Sequence, residues 1–437
     1  MGCCHAYFTQ TGSGDDAFTI DASRLTFGAG CLKEAGDQAR ALGMTRVAVY
    51  TDARVRGLAH FETVTRSLKA AGIDYAVYDE VRVEPTDASF KQASRFAQEG
   101  SFDGFVSVGG GSVMDTCKAA NLYSSHPAEF LTYVNAPVGE GTPVPGPLKP
   151  HIACPTTSGT GSEATGIAIF DLLALKAKTG IQSRWLKPTT GLIDPEVTCT
   201  LPVTIVASTG FDAMSHSLES LTAVSYARRS KPPRPSLRPP SQGANPWSDA
   251  IAHEALRLIG QYFLRATKDP QDFEARAEMM YAATLAGIAF GNAGCHLPHG
   301  MSYAVSGLVR EFRTPHYPQE EPFIAHGMSV ILNAPSVYRF TAGACPDRHL
   351  DGAQLLGADV RGATPQDAGE VLAKTLIGFM KAVDFPNGLG AVGFSNADVD
   401  ALVEGTLPQQ RVISNAPRQA SREDLRALFS GAMTYWR

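Results

Sequence analysis

Asp103-Gly104-Phe105-Val106-Ser107-Val108-Gly109-Gly110-Gly111-Ser112 reads as a strand that runs into three successive glycines and opens a helix, Val113 to about Tyr123. The three glycines allow positive φ and a close backbone approach to a pyrophosphate. Free N–H groups and the positive end of the helix dipole then meet its charge. The pattern is a dinucleotide cradle other than GxGxxG.

The flanking chain repeats the same grammar. Arg46 to Asp52 and Asp74 to Tyr78 read as strands, with helices near 31–42, 60–71 and 86–99 between and before them. Strands alternating with helices of that length predict a parallel, doubly wound sheet, a nucleotide-binding architecture by default. A further strand, Ile152 to Cys154, leads into Pro155-Thr156-Thr157-Ser158-Gly159-Thr160-Gly161-Ser162-Glu163, dense in hydroxyls and glycines that can line ribose and phosphates. Asp52, at the carboxyl end of its strand, can accept bonds from ribose hydroxyls and would repel a 2′-phosphate, which favours NAD over NADP; its alternative role is a helix cap. The cofactor-binding set expected from these stretches is Asp52, Gly109, Gly110, Gly111, Ser112, Asp115, Thr156, Thr157, Thr160 and Ser162.

After Leu201-Pro202 the pattern changes to long 3.6-period segments, about 203–224, 247–266, 270–291, 297–309, 326–339 and 363–383, which predict a helical second domain. The expected organisation is a disordered start over 1–16, a Rossmann-like domain over 17–200 and a helical metal-binding domain over 201–437. Two loop insertions interrupt the latter. Residues 226–246 carry six prolines with Arg228, Arg229, Lys231, Arg234 and Arg238, and residues 311–322 include His316. Proline excludes helix from the first; both read as surface loops, with attraction of an anionic substrate as the alternative role of the arginines.

Within the helical half, Gly210-Phe211-Asp212-Ala213-Met214-Ser215-His216 sets a carboxylate and an imidazole four residues apart, on one helix face. His299-Gly300-Met301-Ser302 and His326-Gly327-Met328-Ser329 each offer an imidazole beside a glycine that lets the backbone come close. One oxygen and three nitrogens suit Fe(II) or Zn(II) better than Mg(II) or Ca(II). Any single Asp or His is more often a satisfied polar residue; the doubled tetrad is what raises Asp212, His216, His299 and His326 to metal-ligand candidates.

Composition bounds the partners. With 437 residues, 44% hydrophobic, 19% charged and a net charge of -5, the chain reads as an ordinary globular protein with no call for nucleic acid or an anionic membrane. Eight scattered cysteines (3, 4, 31, 117, 154, 199, 295, 345) do not form a secreted disulfide scaffold. Cys3-Cys4-His5 is a possible metal tract or acylation site and is read as part of the disordered start. No apolar run reaches membrane-span length, and the first twenty residues lack a signal or transit pattern. The expected location is cytoplasmic, with the mitochondrial matrix as the alternative in a eukaryote. Small molecules and a homo-oligomer, a dimer, are the expected partners.

Taken together, Gly109-Gly110-Gly111-Ser112 with Asp115-Thr116-Cys117-Lys118, then Pro155 to Glu163, Gly210-Phe211-Asp212-x-x-x-His216 and His-Gly-Met resemble the iron-containing (group III) alcohol dehydrogenase family over nearly the whole chain. Val83-Glu84-Pro85-Thr86-Asp87, Gly291-Asn292-Ala293-Gly294 and both insertions are most similar to its hydroxyacid-oxoacid transhydrogenase group. The resemblance implies the dehydroquinate synthase-like architecture: an α/β N-terminal Rossmann-like domain, an all-α C-terminal domain and a metal between them. Its ligands fall on the same four residues, Asp212, His216, His299 and His326, and it adds Lys178 near the nicotinamide ribose. It also implies hydride transfer from 4-hydroxybutyrate to 2-oxoglutarate through bound NAD, giving succinate semialdehyde and 2-hydroxyglutarate. The metal would lower the pKa of the donor hydroxyl before its carbon delivers hydride to the nicotinamide.

One departure stands out. Several members place a second histidine, a proton relay, four residues after the first His-Gly-Met histidine; here that position is Tyr303, so the relay candidates are Tyr303, His296 or water. The competing readings are an NAD-dependent alcohol dehydrogenase of the iron type that releases NADH, and a non-catalytic protein that binds nucleotide and metal. The related group acting on polyol phosphates ranks below both, because no second phosphate site is evident.

Overall fold

The computed structural model describes Tyr7 and residues 14–175, 177–317 and 321–437. The expected disordered start, including Cys3-Cys4-His5, otherwise lies outside the described residues. Two compact units divide the chain: Ala22–Leu201, and Pro202–Arg437 joined by the described residues that precede Ala22.

The first unit is built on parallel strands β1 (Arg24–Phe27), β2 (Arg46–Tyr50), β3 (Asp74–Tyr78), β4 (Gly104–Gly109), β5 (His151–Pro155) and β8 (Thr190–Ile193), in the order β1-β8-β5-β4-β2-β3. The central strand β4 is buried throughout, as suits a strand with helices on both faces, and its one polar side chain, Ser107, is hydrogen-bonded to His151 Nε2 at 2.8 Å. Ala48 and Tyr50 of β2, Phe105 of β4, and Val113, Cys117 and Ala120 of the helix Gly111–Ser125 form one core cluster. Burying a side chain the size of Phe105 stabilises the unit by roughly 2–3 kcal/mol. An antiparallel hairpin stands apart from the sheet, β6 (Ile167–Leu172) with β7 (Ala177–Gln182).

The second unit packs around the helix Val203–Thr222, which is buried on every side from Val206 onward apart from Thr209. Helices Pro246–Lys268, Phe273–Ala293 and His326–Ile331 surround it. Glycine permits two of these approaches. A Cβ on Gly210 would stand 2.5 Å from Phe263, and one on Gly327 would stand 1.9 Å from the Ser208 carbonyl oxygen. The expected single helix over 326–339 is instead two, His326–Ile331 and Ala334–Thr341, because Pro335 cannot continue the hydrogen-bond ladder.

The segment before Ala22 belongs with the helical unit, five residues later than the expected start of the first domain at Ala17. Asp15 accepts two hydrogen bonds from Arg238, at 2.8 and 3.0 Å. Thr19 exchanges backbone bonds with the Gln242 amide, and Asp21 does so with Asn292. The proline-rich insertion thus spends much of its charge at home: Arg238 on Asp15, Lys231 on Asp16 and Arg229 on Asn415. It also folds into short turns, Tyr226–Arg228 and Pro235–Leu237.

Candidate metal centre and dinucleotide cradle

The helix Val203–Thr222 carries Asp212, His216 and Glu219 along one buried face, at successive spacings of four and three residues. Asp212 Oδ1 is the hub of a cluster. His299 Nε2 lies 3.4 Å from it, and His216 Nε2 and His326 Nε2 each lie 3.7 Å from it. Ligands bound at about 2.1 Å in tetrahedral directions stand roughly 3.4 Å apart, so these separations suit a common cation. Asp212 Oδ1 and His299 Nε2 are also buried and without hydrogen-bond partners. Native interiors seldom leave such atoms orphaned, and a cation would satisfy both.

Charge follows the geometry. Burial pushes the Asp212 carboxyl up, but the imidazoles of His216, His326 and His299 outweigh it and hold the group well below the usual carboxylate range. Burial holds His216 down to about 4, so that ring is neutral and able to ligate near pH 7. His299 departs the other way: burial lowers it, yet Cys295, Glu219 and Asp212 together raise it well above the ordinary value.

Glu219 was not foreseen from the sequence, although its spacing from His216 on one helix face marks it. It is fully buried and accepts from His299 Nδ1 at 2.5 Å and from the His296 backbone N–H at 2.6 Å. The first bond leaves Nε2 as the nitrogen that faces Asp212, the carboxylate–histidine arrangement that sets a ligand's tautomer. Phe290 stacks on His216 with ring centroids 3.9 Å apart and fixes that ring's plane.

His296 does not join the cluster. Its Nδ1 accepts from Leu297 N at 2.8 Å, capping the helix Leu297–Gly307, and its Nε2 meets Thr222 Oγ1 at 2.9 Å, so both nitrogens are engaged. Burial holds it down to about 4. Tyr303 is buried one helical turn beyond His299.

The cradle lies in the sheet unit. The helix Gly111–Ser125 begins directly after β4, and no side chain caps its N-terminus. None of Gly109, Gly110 and Gly111 has positive φ, contrary to expectation; Gly161, at +59°, has it instead. The triple glycine serves closeness. A Cβ on Gly109 would meet Val113 at 2.4 Å, and one on Gly111 would meet Thr160 at 2.6 Å. The 156–162 loop therefore rests on the glycine turn, with Thr157 beside Gly110 and the Thr156 N–H donating to Gly109 O.

Several candidates have internal partners. Asp115 accepts from Ser162 Oγ at 2.5 Å and from Ile169 N at 2.9 Å, while buried Lys118 donates to Ser162 and to Ile167 O. Ser112 Oγ accepts from Glu84 N at 3.1 Å. Buried Lys178 pairs with Glu84 and, at 3.2 Å, with Asp171. Burial opposes its charge, but the two carboxylates outweigh that and keep its pKa above the ordinary lysine value. Asp52 Oδ1 caps the short helix Ala53–Arg56 through Arg54 N and Val55 N, at 2.9 and 3.0 Å.

Among the described residues, no helix is long and apolar enough to cross a membrane. Residues 22–195 match the model described as iron-containing alcohol dehydrogenase, and residues 240–433 match that of the C-terminal domain of the same family. The mitochondrial hydroxyacid-oxoacid transhydrogenase of Bos taurus is 53% identical over 96% of this chain and 90% of its own. That of Homo sapiens is 52% identical over the same shares. Among solved structures, a 1,3-propanediol oxidoreductase superimposes with a TM-score of 0.83 at 26% identity, covering 95% of this chain and all of that one. An alcohol dehydrogenase from Oenococcus oeni gives the same values. Both family models fall on the chain and the two transhydrogenase relatives exceed half identity over nearly all of it: the chain is an oxidoreductase of the iron-containing alcohol dehydrogenase family.

Proposed function

We propose that the chain is a metal-dependent hydroxyacid-oxoacid transhydrogenase that moves hydride from 4-hydroxybutyrate to 2-oxoglutarate through bound NAD. The observation that carries this reading is the buried convergence of Asp212 with His216, His299 and His326, taken with relatives of that name at about half identity. A divalent metal, Fe(II) or Zn(II), held by these four would supply the Lewis acidity that lets a substrate hydroxyl lose its proton near neutral pH.

The remaining work falls to the chain's own groups. Asp212 contributes the charge that neutralises part of the cation, and Glu219 keeps the Nδ1 proton of His299 so that Nε2 faces the centre. The uncapped N-terminus of Gly111–Ser125 offers its N–H groups to a pyrophosphate, with the hydroxyls of Thr156, Thr157 and Thr160 on the loop beside it. Lys178, kept cationic by Glu84 and Asp171, is the ribose-side candidate. With both His296 nitrogens engaged, the proton route runs through Tyr303 or solvent. The relatives' names support the mitochondrial location over the cytoplasmic one.

Turnover of 4-hydroxybutyrate with catalytic NAD tests the reading. Succinate semialdehyde should form only when 2-oxoglutarate is present, in step with 2-hydroxyglutarate. Free NADH accumulating without the oxoacid would make the enzyme an ordinary NAD-dependent dehydrogenase.

A further inference from the structure

Cys295 sits in the turn between the helices Phe273–Ala293 and Leu297–Gly307. The turn is pinned rather than loose. Buried Asn415 donates from Nδ2 to Ala293 O at 3.1 Å and to Cys295 O at 3.2 Å. Gly294, at φ +94°, makes the bend, and a Cβ there would stand 2.9 Å from the same amide. The backbone of Cys295 is thus held in one place.

That place faces the histidine cluster. One donor atom each of His216, Cys295 and His299 lie within 4.8 Å of one another, and so do those of Asp212, His299 and His326. The two sets share His299, whose Nδ1 belongs to Glu219, so Nε2 is the nitrogen left to face a cation. His299 Nε2 and His216 Nδ1 are buried atoms without hydrogen-bond partners, on rings 4% exposed. Cys295 forms no disulfide. A soft sulfur thus stands beside His216 and beside His299, whose Nε2 has no partner, whereas the other set adds the Asp212 oxygen and the His326 nitrogen.

We propose that Cys295 is a sulfur ligand of this centre: a thiophilic divalent ion, Zn(II), Co(II) or Cd(II), binds with the Cys295 thiolate in its shell beside His216 and His299. The thiol proton passes to solvent when the metal–sulfur bond forms, and no electrons are transferred. The sulfur biases the site toward zinc and away from Fe(II), since thiolate favours the softer ion. The inference rests on the cluster being a metal centre, and it names the metal class that the four-residue set leaves open.

The experiment uses the full chain, stripped of metal and reloaded with Co(II), beside Cys295→Ser. Cobalt per chain is measured by elemental analysis, and the thiolate-to-cobalt charge-transfer absorption is read in the near ultraviolet. The wild type should carry one cobalt and show the band; Cys295→Ser should keep the cobalt and lose the band. In competition, Cys295→Ser should lose zinc affinity relative to Fe(II) by at least the 10–100-fold typical of losing a supporting group. A loaded wild type with no band, or a band that persists in Cys295→Ser, overturns the sulfur ligand while leaving the metal centre standing. A wild type that takes up no cobalt overturns both.

Discussion

Replacing Glu219 by Gln should weaken metal binding at a site the residue never touches. Glu219 is fully buried, and its two oxygens accept from His299 Nδ1 at 2.5 Å and from the His296 backbone N–H at 2.6 Å. A glutamine of the same shape has one acceptor oxygen and one donor amide. The backbone N–H can only donate, so the oxygen must stay with His296 and the amide must face His299. Nδ1 then becomes an acceptor and the ring proton moves to Nε2, the atom that points at Asp212 from 3.4 Å. Ligation would require the tautomer to switch back against an opposed amide, a buried mismatch costing about 1–3 kcal/mol. The expected loss is therefore about 10–100-fold in metal affinity. Competition against a chromophoric chelator measures it directly. Turnover should fall at limiting metal and recover when metal saturates, which separates positioning from general damage to the fold. Affinity within about twofold of wild type would refute the tautomer argument.

Other outcomes follow from the same geometry. Asp212→Ala and His299→Ala should lose metal and turnover together while circular dichroism stays unchanged; full metal content in both variants would mean the ligands lie elsewhere. Gly327→Ala places a Cβ 1.9 Å from a carbonyl oxygen of the central helix, so it should cost about 1–3 kcal/mol in urea unfolding and weaken metal binding by displacing His326. His349 is buried, bonded to Thr341 Oγ1 and Cys345 O, and held down to about 4 by burial. Between pH 4 and the ordinary histidine value near 6.5, the unfolded chain binds a proton there that the folded chain does not, so this residue's contribution falls as pH drops, by about 1.4 kcal/mol per pH unit. His349→Gln should accordingly reduce proton uptake on unfolding at pH 5.5 by close to one proton; unchanged uptake would show that the imidazole titrates normally in the fold.

Local spacing made half of this architecture legible. Asp212 and His216 share a helix face by arithmetic, and the strand leading into Gly109-Gly110-Gly111 carries its own pattern. What escaped was shorter or more distant than any period. β1 and β8 have four residues each, too few to display alternation; β8 joins the sheet through β5, and β1 joins through β8, more than 160 positions away. The docking of Thr19 and Asp21 onto Gln242 and Asn292 is likewise a contact with no local signature. The tetrad glycines serve helix packing as well as close approach to the rings beside them. Gly327 admits the central helix, and a Cβ on Gly300 would stand 2.3 Å from Ile413, so both tetrads are conserving space for packing while their histidines face the cluster.

The central helix also supports the proposed cation at the cluster. It is buried almost all round, an environment that suits a wholly apolar helix, yet its interior face carries Asp212, His216 and Glu219. Glu219 resolves its burial with two hydrogen bonds, and His216 is neutral and stacked on Phe290. Asp212 Oδ1 has no such remedy among the described residues; its surroundings are three imidazole nitrogens at 3.4–3.7 Å, which without a shared ion can relieve it only by carrying protons. Burial forbids that for His216, whose ring stays neutral down to about pH 4. A proton on one imidazole cannot bridge all four donors, whereas a divalent ion at their centre would. The same low dielectric that makes the empty arrangement costly makes the filled one strong.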